Sequence, residues 1–110
     1  MNATIYHTPY GADDEQTAEI ARDIRMGLDW FQNDAGHGPL AHVFDEVYAE
    51  AGEVDADDPV AAYEAWEQGE GHDPTETRSM SVGDIIVVDG VAHFVESVGF
   101  EEVDVPTGEN

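Results

Sequence analysis

Five histidines, His7, His37, His42, His72 and His93, are the side chains best suited to hold a metal or move a proton. Only His37 and His42 are near neighbours, and their spacing of five places them on different faces of a helix. Neither falls in a ligand motif such as HExxH, so the five read as exposed or packed histidines and no metal site is assigned. Asp55, Asp57 and Asp58 superficially resemble a calcium loop, yet Val60 and Trp66 stand where that loop needs Gly and Glu. The chain carries 26 Asp and Glu, so a carboxylate pair placed for acid–base catalysis has no diagnostic value in the sequence. Weak, non-specific K, Na or Mg binding to surface carboxylates is the only cation interaction expected. There is no cysteine for thiol chemistry, no lysine for a phosphate loop and no GxSxG elbow. No catalytic residue and no cofactor are therefore assigned. Trp30, Phe31 and Trp66 could line a ligand pocket, although their helical spacing favours core. What remains is RSMSVGD, Arg78 to Asp84, which holds the only arginine outside the first helix. Two readings stand: a turn formed by Ser81 and Asp84 with Arg78 paired to a carboxylate, which is favoured, or a binding role. The candidate binding residues are Arg78, Ser79, Ser81 and Asp84, joined by His93 and Phe100 on the strands that follow.

These residues need a scaffold, and the hydrophobic pattern supplies one. Ala3–Thr8 is β-rich and Pro9-Tyr10-Gly11 breaks it. Asp13 or Asp14 then caps a helix whose apolar stripe is Ile20, Ala21, Ile24, Leu28 and Phe31, with Gly27 ending or kinking it. On its surface Arg22 can pair with Glu19, and Arg25 with Asp29. Leu40, Val43, Phe44, Val47, Tyr48 and Ala51 repeat at helical spacing, predicting a helix from Pro39 to Glu50, followed by a short strand over Gly52–Asp55. Asp58 with Pro59 starts another helix, its apolar face formed by Val60, Ala62, Tyr63 and Trp66, ending by Gly69. Gly69–Thr77 reads as an acidic loop.

Ile85–Val88, the turn Asp89-Gly90 and Val91–Val95 form a hairpin of the preferred two-residue type. Its pairing puts Ile85, Val87, Ala92 and Phe94 on one face and Ile86, Val88, Val91, His93 and Val95 on the other. Both faces are apolar, so the hairpin either lies in a sheet covered on both sides or offers one face to a partner. Gly99 reads as a bulge, with Phe100–Val103 continuing the second strand. The expected fold is α+β: a small mixed sheet of about four strands with a C-terminal β-hairpin, packed against two or three helices. Residues 1–105 form one domain and 106–110 a flexible tail.

The stretch RSMSVGDIIVVDGVAHFVESVGFEEV, Arg78 to Val103, resembles the C-terminal signature of YodL-like domains. The likeness lies in the Arg-Ser-x-Ser-Val-Gly-Asp lead-in, the hydrophobic strand, the short turn and the second strand ending at Gly99-Phe100. IYHTP and VDADDPVAAYEAW are similar to that family's opening strand and strand-to-helix unit, whereas Asp13–Glu50 departs from it. The resemblance implies a compact α+β domain in the setting of a phage, plasmid or other mobile element. That family has no established activity, so no catalytic residue carries over.

Charge bounds the partners. Three arginines, Arg22, Arg25 and Arg78, against 26 acids leave a formal net charge of −23 over 110 residues. A chain so acidic has no basic stripe to neutralise phosphates, which excludes direct binding to nucleic acid, and anionic membrane surfaces repel it. The acids run from Asp13 to Glu109 with no block longer than three. Such an even coat resembles the surfaces of haloarchaeal proteins and favours salt adaptation over an acidic DNA mimic: in about 1 M salt the Debye length falls to ~3 Å and crowded carboxylates stop repelling one another. Twelve Val, five Ile, four Phe and two Leu make a small core that suits a sheet better than a bundle. No apolar run is long enough to span a membrane, and Met1–Tyr10 lacks the plan of a signal peptide, so the expected location is the cytoplasm. The leading functional expectation is a non-enzymatic protein-binding module, with the DNA mimic and an enzyme of unknown class as alternatives.

Overall fold

Apolar segments from the start, middle and end of the chain meet in one sheet. In the computed structural model, which describes residues 2–8, 14–35, 40–69, 80–96 and 99–105, five strands pair in the order β2-β1-β3-β4-β5. They are β1 (Asn2–His7), β2 (Ala49–Asp55), β3 (Ile85–Val88), β4 (Val91–Val95) and β5 (Phe100–Val103). The fold is α+β with the C-terminal hairpin, as the pattern predicts. The sheet has one strand more than expected, and every pairing is antiparallel.

The β3–β4 register is the predicted one, from Ile85 opposite Phe94 to Val88 opposite Val91. Asp89 and Gly90 both take positive φ, 53° and 76°, as a primed two-residue turn requires. The two hairpin faces enter two separate cores. Ile85, Val87, Ala92 and Phe94 pack with α1 (Glu15–Ile24), Leu28, Phe31 and α2 (Phe44–Val47). Ile86, Val88 and Val95 pack with Ala3, Ile5, Val54, Met80 and the Ala62 and Trp66 side chains of α3 (Pro59–Glu67). The hairpin is thus covered on both sides by the chain's own helices, and its second face is not a free docking surface.

Several boundaries differ from the sequence reading. The helix predicted over Pro39–Glu50 is a 3-10 turn at Leu40–His42 and one helical turn at Phe44–Val47. The strand that follows starts at Ala49, because Glu50 and Ala49 pair with Tyr6 and His7 and extend the ladder beside β1, with a bulge between Ile5 and Tyr6. Tertiary pairing overrides the helical period here. Leu40, Phe44, Val47 and Tyr48 are nevertheless buried as that period requires.

Gly99 does not bulge a continuing strand. It takes φ +78° where the chain reverses; Glu96 N–H donates to Gly99 C=O, and β5 returns antiparallel to β4. On α3, Ala62 and Trp66 are buried but Val60 is 53% exposed.

The starts of α1 and α3 are side-chain caps: Asp14 accepts from Thr17 N–H at 2.9 Å, and Asp58 from Ala61 N–H at 2.8 Å. The helix α1 stops at Ile24; Gly27 at φ +114° turns the chain, and Trp30–Asp34 forms a separate π-helical turn. Among the described residues no helix is long and apolar enough to cross a membrane. The predicted Pro9–Gly11 break, the acidic loop beyond Gly69 and the tail at 106–110 lie outside the described residues.

Candidate functional site

Two features collect side chains that could do chemistry: a buried polar cluster below α3 and a groove beside it. The cluster is built on the turn Ser81–Asp84. Asp84 N–H donates to Ser81 C=O at 3.1 Å, and Gly83 stands at the third turn position with φ +99°, a conformation that suits glycine. A Cβ on Gly83 would lie 2.8 Å from Ile24 Cγ2, so the turn presses directly on the end of α1. Gly83 N–H donates to Val95 C=O, and the Tyr48 hydroxyl donates to Gly83 C=O.

Asp84 is fully buried. Its Oδ2 accepts from Ser81 N–H at 2.8 Å and its Oδ1 from Thr8 N–H at 3.3 Å. One carboxylate therefore closes its own turn and ties it to the end of β1. His7 Nε2 lies 3.6 Å from Asp84 Oδ2, close enough for an ion pair when the imidazole is protonated, and the His7 ring meets Trp66 edge-on at 5.4 Å. Arg25 Nη2 donates to Thr8 Oγ1 at 3.1 Å, so this arginine reaches across to the end of β1. A general acid or base must touch its substrate. Asp84 instead holds two of the chain's own amides from a position with no solvent exposure.

The groove lies between α3 and the β4–β5 turn and encloses about 350 Å³. Val60, Tyr63 and Glu64 form one wall; Val95, Glu96 and Phe100 form the other. Tyr63 and Phe100 pack edge-on at 6.1 Å. Burial, then the negative charge of Glu67, hold the Tyr63 phenol above its ordinary value, so it stays a hydrogen-bond donor. Glu96 is also pushed up, first by burial and then by Glu101 and Asp29, against the opposing hydrogen bond from Leu28 N–H to its Oε2 at 3.4 Å. Three carboxylates thus crowd together beside the Leu28 amide, and of these only Glu96 lines the groove.

Of the six predicted binding residues, the four that are described do not form one site. Ser81 and Asp84 make the buried turn. His93 is half-buried on β4, between Ile86 and Glu102, and Phe100 lines the groove. Arg78 and Ser79 lie outside the described residues, as do His37 and His72. Phe31 and Trp66 are core, while Trp30 is 41% exposed. Sequence reasoning missed His7, Thr8, Arg25 and Tyr48 in the polar cluster, and Val60, Tyr63, Glu64 and Glu96 in the groove. The only available signal was the exposed i, i+3, i+4 row Val60, Tyr63 and Glu64 on a short helix.

No family model matches the chain, and no curated protein or solved structure matches it.

Proposed function

We propose that this chain is a non-enzymatic protein-binding module that docks a basic, partly apolar segment of its partner in the groove between α3 and β5. The observation that carries the reading is the lining itself: Val60, Tyr63 and Phe100 offer apolar surface beside Glu64 and Glu96. A wall that leaves Val60 53% exposed does not enclose a small ligand, which a binding pocket covers on most of its surface. It suits a side chain delivered by a larger partner. Glu96, which lines the groove and is crowded by Glu101 and Asp29, favours a cationic group beside it.

A mobile-element setting is part of the same proposal and rests on the YodL-like resemblance of Arg78–Val103. A salt-rich cytoplasm rests on the even acidic coat. The experiment is capture from extract in molar KCl, with cross-links mapped by mass spectrometry. Wild type should retain a partner cross-linked to α3 and β5, and Val60→Asp should lose it. No partner, or one held equally by Val60→Asp, overturns the reading.

A further inference from the structure

We infer that β5 is a docking edge, and that the groove's occupant is an extended basic segment which adds beside β5 as a sixth strand. This rests on the groove reading above and specifies how the partner is held.

Among the described residues β5 has a strand on one side only. Which of its backbone groups face the open side follows from the ladder. Glu96 N–H donates to Gly99 C=O, so that pair is a hydrogen-bonded one. Alternation in an antiparallel pair then makes Phe94–Glu101 and Ala92–Val103 hydrogen-bonded, and leaves Phe100 and Glu102 pointing N–H and C=O outward. The opposite side of β4 agrees, since Val95 N–H donates to Asp84 C=O, away from β5.

The two sheet edges are not equivalent. The β2 edge is bulged where it meets Ile5 and Tyr6, and bulges protect an edge by twisting it. The β5 register runs through four pairs without a shift. Its first residue, Phe100, is also the groove wall, so a strand laid along β5 enters the groove at one end. Charge selects the occupant. Glu101 and Glu102 are exposed and Asp104 follows them. A second copy of this chain would set those carboxylates against their own kind, which destabilises cross-strand pairs, whereas lysine or arginine at alternate positions would pair with Glu102 and Asp104, which lie two residues apart on one face.

The test uses a short synthetic peptide of alternating lysine and valine with one phenylalanine, titrated into the full chain and followed by amide shifts and hydrogen exchange. Binding should slow exchange at the Phe100 and Glu102 amides. Glu102→Pro should weaken binding at least about tenfold. Its lost N–H faces outward, and proline is tolerated on edge strands, so the β4–β5 bonds survive. Glu102→Gln, which keeps the amide, should lose much less. If Glu102→Pro does not fold, exchange protection in the wild type decides alone. Peptide binding without protection at Glu102, or equal in Glu102→Pro, overturns strand addition. If Val60→Asp then abolishes that binding, the groove reading stands; if Val60→Asp binds equally, it falls too. No binding up to about 1 mM also overturns strand addition and leaves the groove to the capture experiment. A dimer of the chain alone that Glu102→Pro dissolves would replace the foreign strand by a second copy.

Discussion

Removing the Asp84 carboxylate tests whether the SVGD motif is structural or recognises something. Asp84→Ala deprives two amides of an acceptor, the buried Thr8 N–H and the half-buried Ser81 N–H. A buried amide left unsatisfied costs about 1–3 kcal/mol, so the pair bounds the loss at about 2–6 kcal/mol. The Thr8 contact, at 3.3 Å, is the longer and weaker of the two. That places the expectation near 3 kcal/mol, a large part of the roughly 5–15 kcal/mol that holds an ordinary domain together. At roughly 4–8 °C per kcal/mol the melting temperature should fall by more than about 10 °C. Circular dichroism melting and urea unfolding in molar KCl would measure it. Ser81→Ala is the control: the contact of its hydroxyl with the neighbouring Val82 carbonyl is long, at 3.5 Å, and its amide still reaches Asp84, so the loss should stay under about 1 kcal/mol. An Asp84→Ala protein melting within about 2 °C of wild type would refute the staple. If it also lost its partner, Asp84 would be a recognition residue.

Three further outcomes are expected. Gly83→Ala should cost about 2 kcal/mol or more in urea unfolding, because alanine at φ +99° is strained and its Cβ meets Ile24. Glu96 has a folded value raised above its unfolded one, so the fold is most stable where this group is protonated and loses that contribution as pH rises through the raised value. Glu96→Gln should therefore stabilise at neutral pH, by less than about 1 kcal/mol given its solvent screening, with the gain vanishing in acid; paired melts at neutral and acidic pH would check it. If the acidic coat is salt adaptation, dilution of KCl should lower the melting temperature in a dichroism titration, and a salt-indifferent fold would contradict it.

Much of the fold was legible because it depends on local rules. Asp89-Gly90 between two apolar runs fixed the hairpin register and both faces, and Asp58-Pro59 fixed the start of α3. The boundary at Tyr48 was not legible, since Ala49–Ala51 reads equally well as the end of a helix and only the need of β1 for a partner decides it. The β4–β5 reversal was missed because Glu96–Gly99 lacks the Asn-Gly or Asp-Gly signal, and a lone glycine fits a bulge as well as a turn. Of the site, Ser81 and Asp84 were seen to form a turn; what Asp84 ties that turn to was not visible. Its bond to Thr8 spans 76 residues, and no local spacing encodes a contact of that range.

Burial separates carboxylates that the sequence presents as equivalent. Asp14 and Asp58 are spent on helix amides, Asp84 on a turn and β1, and Glu67 on the Met80 amide and the Tyr63 phenol. A carboxylate bonded to amides has its charge answered within the fold, and a partner has little to gain there. Glu96 differs. It has one long amide contact, from Leu28, and stands against Glu101 and Asp29, whose charges oppose its ionisation. A cation arriving at Glu96 relieves that repulsion as well as making a new pair, so the same group attracts more strongly there than over an isolated surface acid. Every other wall of the groove is apolar or, at Glu64, singly charged. On the proposed reading, what distinguishes the groove in a chain with 26 acids is a carboxylate crowded by its neighbours, and not the local number of charges.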